Sequence, residues 1–314
     1  MKNVIIKVPE QFFSTSRLFT IPTYSVSLNY KNITQMEIEL IDTGFFYADG
    51  GAMFGAIPKT SWSRRYPSNE TNGCVLAMRS VLIKSTDGRI ILIDTGAGNK
   101  HLKLLSYYQF FDLADLGEEL QKRGVTRESV TDVVLTHLHF DHCGYVTFAN
   151  SEGNLSLAFP NATHWVSQPH WKSFIQPHPL EKDSFRRENM DLAAEKGCIR
   201  FIDSNTPLCP EVMLTLYNGH TEGQIVPYIT GKDRTYVFAG DVIPLAASVS
   251  PHWISAYDIN AKQSYDEKIR LLEQAVQNQQ AVFFCHDAYT FCATIKKVGN
   301  YYKADAVFDL QKYE

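Results

Sequence analysis

Basic residues are not in excess in this 314-residue chain: 30 Lys and Arg stand against 34 Asp and Glu, a formal net charge of −4. Such a balance gives no long-range attraction for nucleic-acid phosphates or anionic lipid. Nucleic acid and membrane are therefore not expected as partners, and an uncharged small molecule fits better. Cysteine is sparse and scattered. The six thiols (Cys74, Cys143, Cys198, Cys209, Cys285 and Cys292) form no CxxC pair and no dense framework, so reduced cysteines in a cytoplasmic protein are expected. Met1 to Glu10 holds only the short apolar run Val4 to Ile6, too brief for a signal-peptide core or a membrane span. Low-complexity linkers and fixed-period repeats are also missing. What is present, 44% hydrophobic residues, is ample for a buried core. One catalytic domain over 1–314, with an N-terminal extension of about 35 residues, is the expectation.

The string Leu-Ile-Asp-Thr-Gly occurs at 40–44 and again at 92–96. Two copies of five residues establish no repeat. From Ser80 onward the pattern is clearer. Val81-Leu82-Ile83, the turn residues Asp87-Gly88, and Ile90 to Ile93 predict a hairpin of buried strands ending at Asp94-Thr95-Gly96. Leu113, Leu116 and Leu120 recur at helical spacing, with Gly124 to close the helix and Val133-Val134-Leu135 following as a strand. Helices are expected around 169–176 and 179–196, and strands at 212–216, 225–229 and 235–238. A last helix is predicted to begin at Ser264, with Ser264 and Glu267 as a capping box, and to feed the apolar run Ala281 to Phe284. Strand, then a polar metal-type residue, then helix or loop is the recurring scheme. It gathers reactive side chains at one rim of an α/β sandwich.

The densest chemistry lies in Thr136-His137-Leu138-His139-Phe140-Asp141-His142, where three imidazoles and a carboxylate fall within six residues. Desolvating four such groups without partners is costly, so core filling does not explain them. If the segment is extended, His137 and His139 point the same way, while Asp141 and His142 follow on a turn and reach a second position. His220, Asp241 and His286 each sit after, or in a loop near, a predicted strand. Imidazole and carboxylate donors with a position left for water are what a hydrolytic metal site requires. His137, His139 and His220 are assigned to one ion, Asp141, His142 and His286 to another, and Asp241 as a bridge between them. His101, His164, His170, His178 and His252 fall in no pattern and are read as surface or satisfied core.

The run His-x-His-x-Asp-His, followed by isolated His, Asp and His in that order, resembles the metallo-β-lactamase superfamily. The resemblance implies a four-layer αβ/βα sandwich. A narrower likeness, to N-acyl-homoserine lactone lactonases and organophosphate hydrolases, is carried by Asp49 to Gly55 with Pro58, Lys59 and Trp62, by Asp241 to Pro244 and by Trp253 to Asp258. It implies two divalent ions, most simply Zn2+ with Mn2+, Co2+ or Fe2+ as alternatives, and places Asp94 where a carboxylate orients ligands by hydrogen bonding. Two departures stand out. The acyl-homoserine lactonases carry a Tyr three residues after the bridging Asp, where it helps polarise the substrate carbonyl; this chain has Pro244. Cys143 and Tyr145 also replace smaller residues around Gly144, either narrowing the pocket floor or simply packing.

The implied reaction is attack of metal-activated water on a lactone carbonyl, with Asp141 carrying a proton to the leaving ring oxygen. Opening of N-acyl-homoserine lactones, which ends quorum signalling, is the leading expectation. Phosphotriester or aryl ester cleavage is the alternative. Met53, Phe54, Trp62 and Phe140 are candidate substrate contacts, although Phe45, Phe46 and Tyr47 belong to the same aromatic group, which equally fits packing or a dimer contact. A homodimer through this region is expected by analogy. No basic cluster favours glutathione thioesters or nucleic acid. His139 stands where the similar flavodiiron motif has Glu, and a full donor set argues against a binding module without turnover.

Overall fold

The computed structural model describes residues 35–307; the expected N-terminal extension lies outside them. Along the chain, β1 (Glu37–Asp49), β2 (Gly73–Lys84), β3 (Ile90–Ile93) and β4 (Asp132–Val134) are followed by a two-stranded ladder, β5 (Thr147–Ala149) and β6 (Leu155–Leu157), then by β7 (Thr163–Ser167) and β8 (Ile199–Ile202). Without the ladder these make a six-stranded sheet in the order β1-β2-β3-β4-β7-β8. The remaining strands form a seven-stranded sheet whose order follows the sequence: β9 (Thr206–Cys209), β10 (Val212–Tyr217), β11 (Gln224–Thr230), β12 (Thr235–Phe238), β13 (Ala281–Phe283), β14 (Cys292–Val298) and β15 (Tyr301–Val307).

Period-two alternation sets the layers. Val81, Ile83, Ile91, Ile93 and Val134 face Leu214, Ile225, Ile229 and Phe283, closing an apolar core between the two sheets. Their neighbours Leu82, Leu92 and Val133 point the other way, onto α3 (Leu116–Lys122), α5 (Gln168–Ile175) and α6 (Asp191–Glu195). On the far side Val226, Val237 and Val282 pack against Leu271, Leu272 and Ala275 of α7 (Ala261–Gln277). Helix, sheet, sheet and helix thus stack as four layers, the sandwich implied by the motif. Near one rim, α1 (Gly50–Phe54), α2 (Lys59–Trp62) and α4 (Phe140–Cys143) complete the helices.

The β2–β3 hairpin pairs Val81 with Ile93, as its sequence predicts. Three expectations need correction. Leu113 is exposed and outside α3, because Asp115 accepts from the Glu118 amide and starts the helix later. The segment 179–196 is not one helix but two 3-10 turns and α6: Phe185 is extended and bridges to His139 instead. Finally, α7 begins at Ala261, capped by Asn260. Glu267 cannot reach back to Ser264, since its carboxylate accepts from the Asn218 and Gly219 amides at 2.8–3.0 Å. All six cysteines are free, and among the described residues no helix is long and apolar enough to cross a membrane.

Candidate metal centre

Parallel pairing delivers the polar residues to one rim. β3 runs parallel to β4, so Asp94, just past Ile93, lies beside Thr136 and accepts from both its amide and its hydroxyl at 2.8 Å. β12 runs parallel to β13, with Phe238 opposite Phe283, so Asp241 and His286 leave at the same end. Gly240 supports this exit: its φ is +50°, and a Cβ there would lie 2.5 Å from Gln224 Nε2. His220 enters from the β10–β11 turn, anchored by the Glu267 carboxylate on the two residues before it.

The structure brings together all seven predicted donors. His137, His139 and His220 offer nitrogens within 4.8 Å of one another, and Asp141, His142 and His286 form a second such group. Asp241 stands between them. Its Oδ2 is 3.3 Å from His220 Nε2 and 4.0 Å from His137 Nε2, whereas its Oδ1 is 3.2 Å from His286 Nε2 and 3.4 Å from His142 Nε2. Asp141 Oδ2 lies 3.6 Å from His286 Nε2 and 3.8 Å from His142 Nε2.

Each imidazole is held by its outward nitrogen. His137 Nδ1 meets Thr136 Oγ1 at 3.0 Å, His142 Nδ1 meets Asp94 Oδ2 at 2.8 Å, and His286 Nδ1 donates to the Ala77 carbonyl at 2.7 Å. His220 Nδ1 pairs with Asp258 at 2.9 Å, and His139 Nε2 with Glu181 at 3.0 Å. Thr221 donates to the same Glu181 oxygen and itself contacts buried His170. With a proton fixed outward, the inward nitrogen of each ring presents a lone pair, the arrangement a metal-ligating histidine needs. These lone pairs converge: His142 and His286 Nε2 are 3.1 Å apart, His220 Nε2 and His139 Nδ1 are 3.4 Å apart, and His137 Nε2 is buried with no hydrogen-bond partner. Such crowding repels unless positive charge lies among the donors, so the residues fit divalent cations.

Charge balance points the same way. Burial pushes His137 well below its usual range, reinforced by the neighbouring His142 and His139. Burial would also lower His220, but Asp241 and Asp258 raise it to about 9. His286 is likewise raised against burial, by Cys285 and Asp241. Asp241 stays far below the carboxylate range despite its own burial because His286, His220 and His142 surround it. The acidic groups thus favour positive charge in a dry site, which ring protons would carry where no cation is bound.

Beside this centre opens a cavity of about 160 Å³. His139, Asp141, His220, Asp241 and His286 are in its lining together with the apolar Phe46, Met53, Leu76, Phe140, Pro244 and Ile259, and among the described residues no Lys or Arg borders it. Of the four expected substrate contacts, Met53 and Phe140 line this cavity. Phe54 and Trp62 do not: they stack on each other at 5.1 Å, fully buried, with Trp253 edge-on to Phe54, and serve packing. Phe45 and Tyr47 pack on Phe111. Cys143 and Tyr145 also pack, bonded to the Leu138 carbonyl and Asp115 and away from the cavity lining. Sequence reasoning gave no role to Glu181 or Tyr108, which fall in no spaced motif, and none to Tyr257 or Asp258 beyond their place in the stretch from Trp253 to Asp258.

Comparison with known proteins agrees with this geometry. The sequence profile described as the metallo-beta-lactamase superfamily matches residues 79–286. N-acyl homoserine lactonase AiiB of Agrobacterium fabrum (strain C58) is 22% identical over 244 residues, covering 73% of this chain and 86% of that protein. A probable metal-dependent hydrolase from Staphylococcus aureus superposes with a TM-score of 0.78 at 29% identity, covering 88% of this chain and 99% of that one. The dizinc quorum-quenching lactonase AidC, solved with N-hexanoyl-L-homoserine as product, gives a TM-score of 0.69 at 20% identity, covering 87% and 96%.

Proposed function

The chain belongs to the metallo-beta-lactamase superfamily, and from that premise we propose that it is a dinuclear metal-dependent hydrolase that opens the lactone ring of N-acyl-homoserine lactones. The observation that carries this reading is the cavity itself: five donor residues and a set of apolar side chains share its lining, and among the described residues no Lys or Arg borders it to attract an anion. A neutral head with a hydrocarbon tail suits such a lining. The name of the AiiB relative supports the choice of lactone.

His137, His139 and His220 would hold one cation, Asp141, His142 and His286 the other, with Asp241 shared. Bound there, two divalent ions, zinc by the nature of the donors, would polarise a carbonyl and bring the pKa of water towards ~7. Asp94, Glu181, Asp258, Thr136 and the Ala77 carbonyl keep the imidazole tautomers fixed, so the donors need no reorganisation during turnover. Asp141 borders the cavity, which supports a role for it in carrying a proton to the departing ring oxygen. Met53 and Phe140 take up the acyl chain.

Rates on a hexanoyl to dodecanoyl homoserine lactone series, set against paraoxon-type and aryl esters, test the proposal. Lactone turnover well above ester turnover is expected. Efficient triester cleavage with negligible lactone opening would reverse the order, since both substrates are uncharged and carry apolar groups.

A further inference from the structure

Pro244 borders the cavity and offers no hydrogen-bond donor to a substrate carbonyl. Two phenols border it too. The Tyr108 hydroxyl is engaged with Tyr107, and its ring packs on Phe140 at 5.0 Å. Tyr257 borders the cavity as well, is 41% exposed, and its hydroxyl has no hydrogen-bond partner among the described residues. Burial, with Asp49, Tyr107 and Asp141 nearby, pushes its ionisation upward, so it stays protonated as a donor.

Tyr257 stands on a segment tied closely to the metal centre. The next residue, Asp258, pairs with His220 Nδ1 at 2.9 Å, and the Ile259 amide donates to the His220 carbonyl at 2.9 Å. On the other flank the Ala256 amide donates to the Ala52 carbonyl at 2.8 Å. Gly55, with φ +53°, lets Ile254 approach so closely that a Cβ would lie 2.2 Å from its carbonyl oxygen. The phenol is thus attached to a braced loop that shares its anchors with His220.

We infer that Tyr257 donates a hydrogen bond to the substrate carbonyl oxygen as negative charge builds on it, supplying from the loop before α7 the donor that position 244 lacks. The Tyr proton remains on the phenol throughout; the hydrogen bond strengthens as the oxyanion forms and relaxes when the ring bond breaks. The inference depends on the lactonase reading above.

The test is Tyr257→Phe in the metal-loaded enzyme, with kcat and KM on the lactone series, metal content and thermal midpoint measured together. The expected result is a fall in kcat of about 100-fold, the loss typical of one oxyanion donor, with KM, metal content and melting temperature at wild-type values. An unchanged kcat overturns the assignment, as does a loss accompanied by metal release or a lowered melting temperature, or the same loss in Tyr108→Phe with Tyr257→Phe unaffected. A wild-type enzyme without lactone activity defeats the functional reading, and this inference with it. Robust wild-type activity that survives Tyr257→Phe defeats the phenol's role alone.

Discussion

The two sheets furnish the candidate centre in different ways. The six-stranded sheet supplies His137, His139, Asp141 and His142 from a single run after β4, braced from the adjoining strand by Asp94. The seven-stranded sheet supplies His220, Asp241 and His286 from three separate loops, each with its own anchor. Glu267 fixes the backbone before His220, Gly240 provides the turn into Asp241, and the loop of His286 is clamped by Arg79, which donates to the Phe284 and Asp287 carbonyls at 2.6 and 3.0 Å. Within the local run the rings are held by Thr136, Asp94 and Glu181, whereas each dispersed donor needs its own loop anchored separately, from across the molecule.

Asp241 is where the two contributions meet, so changing it has the largest effect. Asp241→Ala is expected to cost more than ~100-fold in kcat/KM, beyond what loss of a hydrogen-bond partner costs, with lower metal content by elemental analysis. Asp94→Asn and Asp258→Asn then separate the sides. Each should weaken metal affinity by about 10–100-fold, Asp94→Asn in the ion served by His142 and Asp258→Asn in the ion served by His220. Titration with a competing chelator resolves the two, and equal weakening of both ions in both variants would dissolve the distinction.

Removing a brace rather than a donor should act on stability. Arg79→Met leaves two carbonyls without their donor, and Asp42 without the ion pair it makes at 2.8 Å. A loss of about 1–3 kcal/mol in denaturant unfolding is expected. Acid should fall mainly on the first half. His164 in β7 is buried, and burial lowers its pKa from 6.5 to about 4. The folded state favours the neutral ring, so its contribution is complete above pH 6.5 and is lost as pH falls towards 4, at up to ~1.4 kcal/mol per pH unit. His164→Gln should flatten that part of the stability-pH profile; an unchanged slope would show that other groups govern acid sensitivity.

The same contrast explains what could be read from the sequence. The packed run at 137–142 and the alternating strands carry their geometry locally, so the layered fold and the donor set were legible. Glu181 and Asp258 were not, since each meets its histidine across about forty intervening residues. The twin Leu-Ile-Asp-Thr-Gly strings show how little identity of sequence says about role. Asp42 ends as an ion pair with Arg79, while Asp94, in a left-handed conformation with φ 55°, orients His142. Nor did aromatic composition reveal which side chains reach the cavity: Phe54 and Trp62 stack on each other in the interior, with Trp253 edge-on to Phe54, whereas their neighbour Met53 borders it.

Metal stoichiometry tests the central claim most directly. Elemental analysis of the metal-saturated, desalted protein should give two divalent cations per chain, falling to about one in either His220→Ala or His286→Ala. A wild-type chain that retains no cation, or a stoichiometry that neither substitution alters, would contradict the account.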